Sequence, residues 1–518
     1  MNHHRVPNLT AISISLVIFG AAIFLRAPSC YESLWVDELH SAWCVWGTFD
    51  QIVERAEVGH QTPIYFWGLW LWKQVVGQSE LGLRFSSVLA TSAACAILTY
   101  FMIRRFQCIA GGFTSGMILA IEQNSIFFGT ELRPYALIIL LSTIGLACSL
   151  VLLGKSRATG VVKPWFFMLG SILLGLAIQP TSIGTLICFP LFACSDQILR
   201  GEFKLKIPLL RPWTLALSVL TIIGAIALLQ RTLLDSWKSR ELWSAFGKSE
   251  TLSQILLMWN WNLLLLLPLV ISTIALFIFG FRSSKKEHRD LLFAAIGCTL
   301  ICILITSFYW LLSYPPITPL WHRRYLIALL PVFACLSGLA VIFVSRTIGK
   351  QARQTTSRFL YFKSSILGGI LVGTLAWNQG ITRTLHKYPI AYAKRGEHWR
   401  EAIEYINQIA SEKDKIWLSP GLIEERLYQR DESQSAETVD RQANAANLEK
   451  YLLYPLCGPY RIHNNAKLWL DHRGTFGSGG REILLARAHP RRLGASLKNN
   501  GEIKGFGNLS VIISRVRK

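Results

Sequence analysis

Long runs without a charged side chain decide most of what this sequence can become. Residues 9–25 (LTAISISLVIFGAAIFL), 85–103, 134–154, 212–230, 251–281, 291–312 and 325–345 contain no Asp, Glu, Lys or Arg. A helix needs roughly 17–25 apolar residues to cross a bilayer, and most of these runs are long enough. Weaker candidates lie at 106–129, 164–180, 181–195 and 364–381. The sequence therefore predicts a polytopic α-helical membrane protein of about eleven spans. No small-residue cleavage site follows "FLRAPSCYESLW", so the first run reads as a retained helix and not as a cleaved signal. These runs explain why only 16% of residues are charged, against about a quarter in ordinary soluble chains.

The net charge of +22 is better explained by a membrane than by nucleic acid, because the basic residues gather between spans. With the N-terminus in the cytoplasm, the inside segments are Arg5, Arg104-Arg105, 155–163, 196–211, 282–290 and 346–363. They hold 19 of the 30 basic residues before position 381, but only four of the 16 acids. That asymmetry is the positive-inside pattern. Eleven acids fall in the outside loops, and Glu122 falls within the weak span 106–129. The expected location is a cell (inner or plasma) membrane, with membrane lipid around the spans and everything after residue 381 outside. Most cysteines (Cys95, Cys108, Cys148, Cys188, Cys298, Cys302, Cys335) lie in spans and read as small apolar residues. Cys30 and Cys44 share the first outer loop, where an oxidising compartment permits a disulfide. No cysteine spacing resembles a zinc site.

That first loop, 26–84, is long, and loops of more than about 12–15 residues are usually functional or disordered. It is not low in complexity. "FDQIVERAEVG" reads as a short amphipathic helix. "QTPIYFWGLWLWKQVVG" reads as an aromatic-rich helix lying in the interface plane, where Trp and Tyr favour the headgroup level. After 381 the composition changes. "HWREAIEYINQIASEKDKIWLSPG" predicts an amphipathic helix followed by a strand at Lys415–Ser419, "REILLARAH" and "NLSVIISRV" predict further strands, and 428–447 predicts a polar loop. The expected domains are therefore 1–381, the membrane part, and 382–518, a small extracytoplasmic α/β domain.

"SLWVDELHSAW" (33–43) places two adjacent carboxylates, Asp37 and Glu38, among tryptophans in the first outer loop. A solvated acidic patch would explain them, and so would the first turn of a surface helix, where acids favour the dipole. A site is the other reading. "ELRPYAL" (Glu131–Leu137) and "SYPPITPLWHRRY" (313–325) fall on the same side of the membrane as the pair.

Taken in order, these features resemble the GT-C class of polyprenyl-phosphate-sugar-dependent glycosyltransferases. The match is narrower to the branch holding protein O-mannosyltransferases and the aminoarabinose transferases that modify lipid A. The carriers are the Trp35/Asp37-Glu38 stretch, the Pro63-Ile64-Tyr65 stretch, the entry Gly77-Gln78-Ser79-Glu80 through Arg84-Phe85-Ser86-Ser87, "RRYLIALLPVF" (Arg323–Phe333) and "HWREAIEYI". Where some members carry a lysine, this chain has His60-Gln61. The resemblance implies an inverting transferase that takes a monosaccharide from a polyprenyl-phosphate donor to an extracytoplasmic acceptor: a glycan, lipid or protein. It implies Asp37 as the base, with Glu38 orienting it, holding acceptor or binding a cation.

Chemistry asks for the same residue types. Sugar transfer to a hydroxyl needs a base for the proton, and a positioned carboxylate contributes about 10²–10⁴ in rate. The departing phosphate needs cations, and a guanidinium donates two parallel hydrogen bonds to phosphate oxygens. Arg133, Arg324 and His322 are the candidates for that role, with Glu131, Tyr135, His60 and Tyr65 in support. Arg133 pairing with Glu131, and Arg323 anchoring to headgroups, are the plainer alternatives. A divalent cation is compatible with the acids, but no metal ligands are assigned. The main rivals are a lipid-linked sugar transporter, disfavoured by the absence of repeated halves, and a relative that transfers whole oligosaccharides.

Overall fold

The computed structural model describes residues 6–154, 162–199, 247–279, 285–314, 318–351, 357–381, 395–422, 439–463, 465–471, 476, 481–493 and 501–514. The expected span at 212–230 lies outside them. Packing divides the chain into two compact units: a helical unit, Met1–Ser29 with Ser87–Ala393, and a sheet unit, Cys30–Ser86 with Lys394–Lys518. The first loop is therefore grouped with the C-terminal segment.

Among the described residues, six helices are long and apolar enough to cross a membrane: Asn8–Tyr31, Glu80–Phe106, Tyr135–Leu152, Pro180–Leu199, Arg289–Ser313 and Arg323–Arg346. Shorter apolar helices lie at Ile109–Ile121, Val162–Ile178 and Asn262–Phe277. The helix at Arg323–Arg346 is central: 94% of its apolar window is buried, against 28% for the N-terminal helix. Its contact with helix Ile109–Ile121 is close because small residues meet there. A Cβ on Gly338 would fall 1.9 Å from Ser115 Oγ and 2.5 Å from the Gly111 carbonyl oxygen. Small residues that let backbones approach replace the missing hydrophobic drive inside a membrane.

The candidate span 106–129 is not one helix. It breaks at Glu122 into Ile109–Ile121 and Gln123–Gly129. A break within an apolar layer must satisfy the freed backbone groups from inside the protein. Arg26, fully buried, donates to the carbonyls of Ala120 at 3.0 Å and Leu119 at 3.4 Å, and to Ser125 Oγ at 2.8 Å. Glu122 caps the next helix, accepting from Ser125 N at 2.6 Å and Asn124 Nδ2 at 2.8 Å. A cation thus meets a helix C-terminus and an anion a helix N-terminus, the favourable sense of both dipoles. Glu122 lies at the junction between two helices, not within a continuous span.

Among its described residues the sheet unit carries five strands: β1 (Lys415–Ser419), β2 (Lys467–Leu470), β3 (Glu482–Ala486), β4 (Gly501–Phe506) and β5 (Leu509–Ser514), in the order β2-β1-β3-β5-β4. β1 runs parallel to β2 and β3, whereas β5 runs antiparallel to β3 and β4. Every residue of β3 is buried, as expected of a central strand covered on both faces. The helix expected after His398 is Trp399–Ile409, burying Trp399, Ala402, Ile403 and Ile406. The two loop helices are Ile52–Val58 and Pro63–Val76.

Of the expected loop 428–447, residues 428–438 lie outside the described residues and 439–447 are helical instead. They open helix Val439–Cys457, which Leu448, Tyr451 and Leu452 anchor in the core. Cys30 and Cys44 are both buried, and the permitted disulfide between them is not formed.

Candidate active site

The acidic pair sits in the first turn of helix Val36–Trp46 in the sheet unit. The two carboxylates have different fates. Asp37 is half-buried. Glu38 is fully buried and accepts from Arg84 Nε at 2.8 Å through Oε1, while its Oε2 pairs with Arg84 Nη2. Trp35 N also donates to Glu38 Oε2 at 3.2 Å, and Arg395 Nε stands 3.7 Å from the same oxygen.

Arg84 is itself fully buried and gathers the turn before the helix. It donates to the carbonyls of Cys30 and Ser33, both at 3.1 Å, and to that of Glu32. A carboxylate locked in a two-pronged ion pair with an arginine is a poor proton acceptor, because taking up a proton would strand a buried cation. Burial raises the pKa of nearby Glu32, opposed by Arg395 and Arg84.

A second carboxylate fixes the same segment. Glu397 accepts from Val36 N at 3.0 Å, Trp399 Nε1 at 2.9 Å and Arg487 Nε at 2.7 Å, and its carbonyl accepts from Ser33 Oγ at 2.8 Å. At the other end of the helix, Arg55 Nη1 donates to the Trp43 carbonyl at 2.7 Å and Lys73 Nζ to that of Val45 at 2.6 Å. Cations there match the negative end of the dipole.

His60 is the turn residue after helix Ile52–Val58, with a left-handed φ of 52°. Tyr65 is buried in the first turn of Pro63–Val76, edge-on to Phe66. A histidine that sequence reasoning passed over, His40, is buried between Phe66 and Tyr451 at centroid distances of 5.9 and 5.0 Å.

The cationic candidates belong to the helical unit. Arg133, nearly buried, lies in the short connection before helix Tyr135–Leu152, with its N–H bonded to the Glu131 carbonyl at 2.8 Å. Ser87 Oγ fixes that carbonyl at 2.7 Å. The charges of Arg324, Arg133 and Glu131 all act on the Tyr135 hydroxyl.

His322 caps the short helix Arg323–Leu326, Nδ1 accepting from Arg324 N at 3.2 Å. That bond selects the tautomer with its proton on Nε2. The Arg324 guanidinium lies 5.0 Å from the Tyr325 ring centroid. Arg323 serves elsewhere, donating to the Met258 and Leu257 carbonyls at 3.1 and 3.2 Å at the end of helix Ser253–Met258. Among the described residues no group of three His, Cys, Asp or Glu side chains gathers closely enough to hold a metal ion, and no site for a divalent cation is assigned.

Arg84, Arg395 and Glu397 are the residues whose roles the sequence did not assign. Arg84 had a signal, a charge at the threshold of the apolar run 85–103. Arg395 and Glu397 had none beyond lying next to "HWREAIEYI".

No family model matches the chain, and no curated protein does. Among solved structures, the crystal structure of ArnT from Cupriavidus metallidurans bound to undecaprenyl phosphate is similar over 98% of this chain and 97% of that one, at 12% identity and a TM-score of 0.50. The apo form of the same protein covers the same shares at 12% identity and a TM-score of 0.48. The chain is a multi-pass membrane protein with a fold like that of ArnT.

Proposed function

We propose that this protein is an inverting membrane glycosyltransferase that moves a monosaccharide from a polyprenyl-phosphate donor to a hydroxyl outside the cytoplasm. The observation that supports it most is the full-length fold likeness to a protein whose solved structure holds undecaprenyl phosphate. Arg133 and Arg324, whose charges both act on the Tyr135 hydroxyl, suit a phosphate headgroup.

In this reading Asp37 takes the proton from the acceptor hydroxyl as its oxygen attacks the anomeric carbon. The bond from that carbon to the phosphate oxygen breaks with its electron pair. The polyprenyl phosphate leaves with one more negative charge than it had in the donor, and Arg133 and Arg324 stabilise it. Such donors aimed at developing charge are often the largest single catalytic contribution. Glu38 is then a positioning residue, holding the helix that carries Asp37.

The test is transfer from labelled polyprenyl-phosphate sugars by purified protein. Asp37→Asn is expected to lower kcat by about 10²–10⁴. Equal rates for both proteins would remove Asp37 from the role. Movement of intact lipid across vesicles with no new glycosidic bond would replace the enzyme with a transporter.

A further inference from the structure

The sheet unit contains a cavity of about 340 Å³ among the Gln78–Glu80 turn, helix Trp399–Ile409 and the segment Pro459–His463. Small-molecule sites occupy roughly 300–1,000 Å³, so the space suits a sugar residue or two and not an extended chain. Its charges balance: Arg400 and Arg461 face Glu80 and Glu404, while Gln78 and Asn407 add carboxamides. Arg400 is moreover already bonded to Glu80.

A phosphate site gathers unanswered cations or backbone N–H groups; here two acids accompany Arg400, Arg461 and His463, and Arg400 is already paired with Glu80. Donors and acceptors mixed at near-zero net charge match hydroxyls, each of which donates and accepts. Pro459 supplies an apolar wall for the C–H face of a ring.

The cavity is wired to the segment that leads to Asp37. Tyr460, which lines it, accepts from Leu34 N at 2.6 Å and donates to Glu80. Burial and the Glu80 carboxylate push its hydroxyl well above the usual tyrosine range, so it stays a donor. Arg400 holds the Tyr31 carbonyl at 2.8 Å. Two lining side chains thus also hold the backbone of residues 31–34.

We propose that this cavity binds a neutral sugar unit of the acceptor and holds it with the side chains that also fix the approach to helix Val36–Trp46. The acceptor assignment rests on the transferase reading; the sugar site does not.

The experiment uses the full purified chain, methyl glycosides of glucose, galactose, mannose and N-acetylglucosamine as probes, and inorganic phosphate as the rival, with binding read by saturation-transfer NMR and calorimetry. At least one glycoside is expected to bind. The double variant Glu404→Gln with Arg461→Gln, at two exposed positions, is expected to weaken that binding at least tenfold with an unchanged unfolding midpoint. Phosphate displacing the glycoside, an affinity unmoved by the double variant, or no glycoside binding at all would each overturn the proposal.

Sugar release from labelled donor is scored separately. Donor turnover without glycoside binding removes the cavity's role and leaves the transferase. Variant-sensitive glycoside binding without turnover on any acceptor keeps the sugar site and removes the transferase.

Discussion

Replacing Glu38 by Gln tests the division of labour within the acidic pair. The substitution keeps size and one acceptor but removes the charge that answers Arg84, and both side chains are fully buried. Breaking a buried pair by neutralising one partner costs about 3–5 kcal/mol. For a unit of this length each kcal/mol moves the unfolding midpoint by about 2–4 °C, so Glu38→Gln should lower it by about 6–20 °C. Arg84→Met should be worse. It takes the closest cation from Glu38, leaving Arg395 at 3.7 Å, and also strips the carbonyls of Cys30, Glu32 and Ser33 of the Arg84 donor, at roughly 1–3 kcal/mol for each left unsatisfied. Asp37→Asn, half-buried, should stay close to the parent. Tryptophan fluorescence during heating in detergent gives the order, Arg84→Met below Glu38→Gln below Asp37→Asn. Transfer measured well below each midpoint should rank them differently, with Asp37→Asn the slowest. A Glu38→Gln protein that melts with the parent would refute the structural reading of this carboxylate.

Three further outcomes follow from particular contacts. Gly338→Ala forces a Cβ into Ser115 and the Gly111 carbonyl; overpacking of this kind costs about 1–3 kcal/mol, and an unchanged melting temperature would mean that the two helices are not in contact as described. Arg26→Met removes the donor to the Ala120 and Leu119 carbonyls, so hydrogen exchange should accelerate across residues 119–125, and unaltered protection there would dissociate Arg26 from the helix break. Glu32 has a pKa raised by burial above 4.5, so between 4.5 and its folded value the native state holds more proton than the unfolded state. Its contribution is present at low pH and is lost as pH rises through the folded pKa. Glu32→Gln keeps an acceptor for Arg395 N and should flatten that fall, which stability curves from pH 4 to 7 would detect; identical slopes would count against it.

The elements legible in the sequence are those with a single dominant signal. Helix Trp399–Ile409 and strand β1 match the stretches expected for them, because their apolar residues repeat at the periods of helix and strand. Strands β2 and β4 were missed. Both are edge strands, and "KLWL" and "GEIKGF" expose charged or polar positions, as edges that must resist pairing do. The helix start at Val439 was hidden for a different reason. "VDRQANAAN" has no apolar face of its own and is carried by the buried Leu448–Leu452 turn that follows. The broken span at Glu122 was half legible: an acid in an apolar run marks a departure, but nothing local says that Arg26 completes it.

Two carboxylates adjacent in sequence are poor partners for one task on a helix. Successive residues point about 100° apart, and neighbours at i and i+1 do not share a face. The pair makes sense only if each member looks somewhere different. Glu38 looks inward, to two arginines that also hold the chain before the helix; that contact fixes the rotation of helix Val36–Trp46 about its axis and its depth in the sheet unit. Once those are fixed, helix geometry sets the direction in which Asp37 leaves the helix axis. Glu397 on Val36 N and the cations at the far end of the helix remove the remaining freedom. In the proposed transferase, a base held this way loses little entropy when the substrate arrives, which is what positioning contributes to rate. On the proposed mechanism, the motif carries two acids because the immobile one aims the other.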